Sequence, residues 1–416
     1  MKKYSYISIL LFFQNISLFA QVGIGTSSPD PSAALEVSSV TQGFLPPRMT
    51  AAQRDAISNP AAGLVLYCID CGIYGELQIF NGSTFTNMVG SPAQSIWCLE
   101  CDNYAVGDTF TLSGIDFYVA DKTMLQTAIT NGEDLTRYCT SKITDMSFLF
   151  NGNSSFNSPI YNWDVSNVTT MRYMFYKAIV FNQDVSNWDV SSVGDMELMF
   201  GEAESFNQNI GAWDVSSVTN MRSMFGGANA FNQDIGNWDV SSVGSMEFTF
   251  NKAISFNQDI GDWDVSNVTS MQNMFSGTDY NQDLSSWDVS NVTNMSGMFD
   301  WSTANPDIRN WDVSNVVNME WMFHQNTSFN QDIGNWDVSN VTSMDAMFRD
   351  ATSFNQDIGN WDVSSVTNMS RMFYVATAFN QDISGWCVTQ ITSLPSAFSV
   401  SSSLTSSNHP VWGTCP

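Results

Sequence analysis

The sequence predicts an elongated repeat solenoid of short parallel strands with one helical turn per coil, preceded by a small β-rich unit. Three observations predict it. Ten tryptophans, Trp163, Trp188, Trp213, Trp238, Trp263, Trp287, Trp311, Trp336, Trp361 and Trp386, recur every 24 or 25 residues. Each sits in a unit reading roughly Phe-Asn-Gln-Asp-Ile-Gly-Asn-Trp-Asp-Val-Ser-Ser-Val-Thr-Asn-Met-x-x-Met-Phe. A period in this range marks stacked supersecondary units, none able to bury its apolar positions alone. Finally, 416 residues with 43% hydrophobic and 13% aromatic content exceed a single compact core and exclude a disordered chain.

The charge balance narrows the partners. Fourteen Lys+Arg against 41 Asp+Glu give a net charge of −27. Such a surface repels nucleic acid and anionic membranes and favours solubility or cation binding. Nucleic acid is therefore set aside as a partner.

In chain order, residues 1–20 read as a signal peptide. Lys2 and Lys3 form its basic start, Ile7 to Phe13 are mostly apolar, and Ala20 offers a cleavage point before Gln21. The apolar run is too short to span a bilayer, and no other stretch approaches the ~18–20 apolar residues that spanning requires. The expected location is extracellular or on the cell surface, with no integral membrane segment.

Residues 21–101 form a β-rich attachment unit, with a short helix near Ala51–Ser58 and an apolar strand, Leu77-Gln-Ile-Phe80, ending in an Asn-Gly turn. Residues 102–150 are a linker and N-terminal cap, in which Met124–Ile129 reads as a helix before Asn131-Gly132. Residues 151–398 are the ten repeats, and residues 399–416 close the open end.

Within a repeat, Met221, Met224 and Phe225 have the i, i+3, i+4 spacing of a helical turn. Phe-Asn-Gln-Asp-Ile and Val-Thr-Asn-Met could each give a brief strand. Ser, Asn and Asp around the Trp make the corner, because their side chains bond to nearby backbone. Stacked at ~4.8 Å, ten coils would make a rod on the order of 50 Å long. Phe, Ile, Trp, Val and Met should point inward, with Trp the least determined.

The Trp-Asp-Val-Ser-Asn-Val-Thr-x-Met-x-x-Met-Phe core resembles the roughly 26-residue repeat of BspA-like leucine-rich-repeat surface proteins. The resemblance covers about residues 139–398. It implies a right-handed, leucine-rich-repeat-like solenoid displayed on bacterial surfaces and associated with adhesion, with no catalytic residues to carry over. The chain ends at Cys415-Pro416 without a recognisable sorting domain or wall-anchor motif, which leaves its attachment route open. Gly43-Phe-Leu-Pro-Pro-Arg-Met49, within Val22 to Gly82, resembles an N-terminal segment of exported Bacteroidetes and tail-fibre-like proteins. That second resemblance implies a surface-displayed stalk or attachment module.

Cys68-Ile-Asp-Cys71 and Cys98-Leu-Glu-Cys101 are spaced as a four-thiolate zinc site could be, as a redox pair could be, or as disulfides. An export signal favours disulfides. Cys387 and Cys415 would fasten the open end; Cys139 has no evident partner.

Two acidic rows run along the repeats. Asp239, Asp264 and Asp288 represent the row after Trp, and Asp234, Asp259 and Asp283 the row in Asn-Gln-Asp. They either cap the corner backbone or chelate Ca²⁺ between coils. The first reading is preferred, because the glycine-rich signature of calcium β-rolls is missing; no other cofactor is expected. The Asn row, Asn182 and its counterparts, reads as an inward amide ladder.

No catalytic motif stands out. His324 and His409 are the two histidines and lack recognisable company, so an enzyme is not expected, and a glycoside hydrolase built on the acids ranks last. The expected role is an adhesion scaffold for a protein or glycan on a host, matrix or neighbouring cell. The alternative is a carbohydrate-binding module using exposed aromatics. The one irregular stretch, residues 276–325, is the candidate ligand patch. There two units shrink to 24 residues, Tyr280 and Ala304 replace Phe, and Trp301, Arg309, Trp321 and His324 appear off register. In the stacked arrangement Trp301 falls beside Gln325 and close to His324.

Overall fold

The computed structural model describes strands at 22–24 and 35–37, then residues 46–69, 71, 76–80, 83, 85–87, 101, 103–112 and 115–416. The proposed signal peptide and Cys98 lie outside the described residues. The chain divides into two compact units, Met1–Ser95 and Ile96–Pro416, so the boundary falls before the second Cys pair rather than after it.

In the first unit, strands β1 (Val22–Ile24) and β2 (Leu35–Val37) pair in parallel. β3 (Arg48–Met49), β4 (Val65–Cys68), β5 (Glu76–Phe80) and β6 (Phe85–Asn87) form a four-stranded sheet in that order. β5 matches the apolar strand read at Leu77–Phe80 and pairs antiparallel with β6, while the predicted Asn-Gly turn lies outside the described residues. Helix α1 (Ala51–Asp55) begins with a capping box in which Thr50 and Gln53 bond each other's backbone, satisfying two N–H groups that a helix start leaves free. A Cys68–Cys71 disulfide closes the end of β4.

The second unit opens with a hairpin of β7 (Thr109–Leu112) and β8 (Ile115–Val119), followed by helix α2 (Lys122–Asn131) and β9 (Tyr138–Cys139), which pairs in parallel with β8. Asp121 caps α2, and Gly132 ends it at φ 69°, as the Asn131-Gly132 turn predicted. Cys101 bonds Cys139. This corrects the grouping of Cys101 with Cys98 and gives Cys139 its partner. The Cys101–Cys139 bond ties the cap to the first coil.

From Asp145 onward the repeats stack. Single-residue parallel bridges run Asp145, Thr170, Asp195, Asn220, Ser245, Ser270, Asn294, Asn318, Ser343 and Asn368, one per coil. Two expectations need correction. The brief strands are reduced to these single bridges, and Met-x-x-Met-Phe is not a helical turn. The N–H groups of Met196, Leu198, Phe200 and Glu202 instead donate to Asn220, Arg222, Met224 and Gly226 of the next coil at 2.7–3.0 Å. Between those bonds, the N–H groups of Met199 and Gly201 close four-residue turns onto the carbonyls of Met196 and Leu198. The i, i+3, i+4 spacing reported which side chains face inward, and two different backbone paths satisfy it.

The core is a bundle of ladders. Phe200, Phe225 and Phe250 stack 5.7–5.9 Å apart, and each lies 3.8–4.0 Å from a second Phe of its own coil. The Trp row is inside, at 1–4% exposure. Trp263 Nε1 donates to the Ile235 carbonyl at 3.0 Å, and Trp238 and Trp361 repeat this pattern. The Asn row does bridge coils: Asn182 Oδ1 accepts from Asn207 N–H at 2.9 Å and from Gln208 Nε2 at 2.8 Å. It faces outward, however, correcting the inward placement. At the far end Phe398 packs edge-on against Phe373 and Trp412, and Cys387 bonds Cys415 as expected.

Candidate ligand-binding face

Each coil carries two backbone positions in the left-handed region, one inside Met-x-x and one two residues beyond Phe. Leu198 and Glu202 have φ 54°, Phe248 and Lys252 57°, Trp321 60° and Gln325 53°. Folding asks only for positive φ there, which Gly meets at least cost, as Gly227 does at 74°. A larger residue costs on the order of 1–3 kcal/mol. Yet the first position holds Phe148, Tyr173, Leu198, Phe248, Trp321 and Arg371 in different coils, and the second Lys177, Glu202, Lys252, Trp301 and Asp350. The scaffold rows repeat almost unchanged while this outer strip varies.

Beside the strip, Arg172, Glu197, Arg222 and Glu247 alternate in sign across four successive coils. Arg172 Nε meets Glu197 at 3.0 Å, Arg222 Nη1 meets Glu197 at 3.3 Å, and Arg222 Nε meets Glu247 at 3.1 Å.

The irregular stretch contributes to this strip unequally. Trp301 is 63% exposed, and its N–H donates to the His324 carbonyl at 2.9 Å, on the coil that also carries Gln325. Trp321 is half-buried, with the guanidiniums of Arg371 and Arg349 over its ring at 5.4 and 5.8 Å. Arg371 also pairs with Asp345 at 2.7 Å, and Arg349 lies 5.3 Å from the Tyr374 ring. His324 is buried at 4% exposure, edge-on to both indoles, with Nδ1 2.6 Å from Asp300 Oδ1. It therefore props the two tryptophans rather than offering a contact of its own.

One candidate drops out of the patch. Tyr280 is fully buried in the Phe ladder, 4.5 Å from Phe275 and 6.1 Å from Phe256, and burial pushes its phenol pKa up. Arg309 stays exposed on the surface, paired with Asp307 of its own coil at 2.7 and 2.9 Å. Nor does Trp301 fill the space left by Ala304. The shortened coils instead bury Thr278, Ser302 and Asn326, whose side chains donate to the carbonyls of Phe275, Thr278 and Ala304.

The acidic rows have local employment. Asp239 Oδ1 accepts from Ser241 N–H and its hydroxyl at 3.1 and 2.6 Å, and Asp264 and Asp288 accept from Ser266 and Ser290 N–H at 3.0 Å. Asp234 and Asp259 accept from Gly236 and Gly261, and Asp283 from Ser285. The serine hydroxyl first, then its N–H, holds the Asp264 and Asp288 carboxyls below the usual carboxylate range. Among the described residues, no group of three or more His, Cys, Asp or Glu is arranged to hold a metal ion.

Arg349, Arg371, Tyr374, Asp300 and Asp350 were missed in the sequence. Comparing the repeats with one another would have found Arg371 and Asp350, which stand at the two left-handed positions. Gly152, Gly227, Gly277 and Gly297 recur at register positions where other coils carry unrelated residues, which signals positive φ on an unconstrained face.

Fold and face together define a repeat protein with disulfide-closed ends and, among the described residues, no helix long and apolar enough to cross a membrane. The family model described as Mycoplasma protein of unknown function, DUF285, matches residues 120–234, 202–306 and 300–412; the chain belongs to this family. Residues 23–100 match a phage tail like trimerisation region. No curated protein and no solved structure matches the chain.

Proposed function

We propose that the protein is an exported surface scaffold. Its repeats wind as a continuous leucine-rich-repeat-like solenoid whose left-handed strip binds a macromolecule on a host, matrix or neighbouring cell. The role is binding rather than turnover. One observation carries this reading: the repeated residues are committed to the core and the coil corners, whereas the strip varies and exposes Trp301 at 63%. An exposed indole brings large contact area at low conformational cost, the usual chemistry of an interface anchor. The match of residues 23–100 to a trimerisation region supports display in threes. That arrangement would turn weak single contacts into avidity.

The test is adhesion of purified full-length protein to fixed epithelial cells and to immobilised matrix proteins. Trp301→Ser should weaken binding at least about tenfold, as loss of an anchor worth ~1.4 kcal/mol or more requires, with unchanged circular dichroism. Unchanged adhesion would overturn the assignment of the strip.

A further inference from the structure

A second feature of the same strip lies several coils before Trp301. The coil at residues 221–229 carries the smallest set of outer side chains: Ser223 at the first left-handed position, then Gly226 and Gly227. The adjoining coils carry Leu198 and Glu202 on one side and Phe248 and Lys252 on the other. The result is a depression of about 430 Å³, floored by the small residues and walled by Leu198, Tyr176 and Phe248. Its size falls within the ~300–1,000 Å³ of small-ligand sites.

The walls are held in place. Tyr176 Oη donates to Glu202 Oε1 at 2.9 Å, the Lys177 ammonium sits 5.0 Å from the Tyr176 ring, and the Arg222 guanidinium lies 5.6 Å from the Phe248 ring. The glycines keep the floor low. A Cβ on Gly227 would come 3.2 Å from Glu202 Cγ, and one on Gly226 would come 3.3 Å from the Phe248 carbonyl oxygen.

The rim brings different chemistry. Glu204, Asn229 and Lys252 line the opening without entering any of the ion pairs or side-chain hydrogen bonds that fix the walls. A carboxylate accepts only, an ammonium donates only, and an amide does both. Together they suit a ligand whose groups each donate and accept, set around an apolar face that lies against a ring. Hydroxyls on a pyranose have that character, and the C–H face of the sugar matches the aromatic wall. Acid and base on one rim leave no preference for a charged ligand.

We propose that this depression is a binding site for a neutral pyranose residue of a glycan, separate from the Trp301 patch. Phe248 stacks on the sugar's apolar face, while Glu204, Asn229 and Lys252 bond its hydroxyls.

The repeats themselves supply the test variants. Ser223→Trp puts into the floor the residue that the fold carries at the same register position as Trp321, and Phe248→Ser removes the wall in favour of the residue at Ser223. Both are therefore compatible with the coil. Saturation-transfer-difference NMR on the full-length protein would use cellotriose, mannotriose and chitotriose as probes. At least one should bind the parent protein and lose its signal at least about tenfold in both variants, with circular dichroism unchanged. No binding of any probe at millimolar concentration would overturn the proposal, as would binding that persists in Ser223→Trp. Trp301→Ser should leave the NMR signal intact, so failure of the adhesion reading and failure of this one are distinguishable.

Discussion

Trp263→Ala tests the packing of the stack at its centre. The indole is 3% exposed, stacks 6.4 Å from Trp238 at an interplanar angle of 3°, and donates to the Ile235 carbonyl at 3.0 Å. Burying a side chain that covers ~150–250 Å² contributes about 4–6 kcal/mol at ~25 cal/mol per Å². Measured Trp→Ala changes in cores run ~3–5 kcal/mol. The Ile235 carbonyl keeps its bond from the Trp238 backbone N–H at 3.1 Å, so losing the indole N–H adds only ~0.5–1.5 kcal/mol. Partial collapse of the coil offsets some of that, so about 4–5 kcal/mol is expected. Trp263→Phe keeps a ring and should cost about 1–3 kcal/mol, from the lost hydrogen bond and the space the smaller ring leaves. Each coil contacts only its neighbours, so stability in such arrays divides locally and one global unfolding energy is a poor readout. Hydrogen exchange followed by mass spectrometry reads it coil by coil. Peptides around residues 235–288 should lose protection, those at the two caps least. Unchanged exchange in the alanine variant would refute the view that the Trp row holds the stack together.

Further outcomes follow from the corners and the closed end. Ser hydroxyl and N–H bonds lower the carboxyl pKa of Asp214, Asp264, Asp288, Asp337 and Asp382. The folded values lie below the unfolded ~3.9, so this stabilisation is complete above that pH and is lost as pH falls through the depressed values. Acid titration followed by circular dichroism should show the loss there, and stability that rises on acidification through that window would contradict it. Removing the 28-residue Cys387–Cys415 link with Cys415→Ser should destabilise the last coil by about 3.5 kcal/mol in the loop-entropy estimate. Faster exchange confined to residues after about Phe373 is the signature, and uniform loosening along the stack would be the contrary result.

The architecture was readable because repetition amplifies weak signals. A single Met-x-x-Met-Phe is ambiguous between helix and strand, but eight in register name the inward rows. Periodicity reports side-chain direction and is silent on backbone path, which is why the expected helical turn became a pair of left-handed residues bonded to the next coil. The outward Asn row was misplaced for a related reason: an amide that bridges coils does so equally well on either side of the backbone. Trp301 was identified because it breaks register, and its nearness to His324 followed from counting coils. Arg349, Arg371 and Tyr374 escaped because each sits in a coil of normal length, and nothing in the local sequence sets it apart. Tyr280 misled for the opposite reason. It departs from the Phe pattern in type but not in place, and an aromatic ladder accepts a phenol as readily as a phenyl ring.

Arg172, Glu197, Arg222 and Glu247 have a further consequence. Coils this similar offer the folding chain a hazard that unique sequences avoid, since any coil can dock on a wrong neighbour with nearly all its Phe, Met and Trp contacts satisfied. If the coil of Glu197 looped out, Arg172 would lie against Arg222, and if that of Arg222 did, Glu197 would lie against Glu247; either slip replaces attraction with a repulsion of up to about 1 kcal/mol at strand-like spacing. The alternation thus numbers coils that are otherwise interchangeable, and it lets the chain distinguish its next neighbour from the one after.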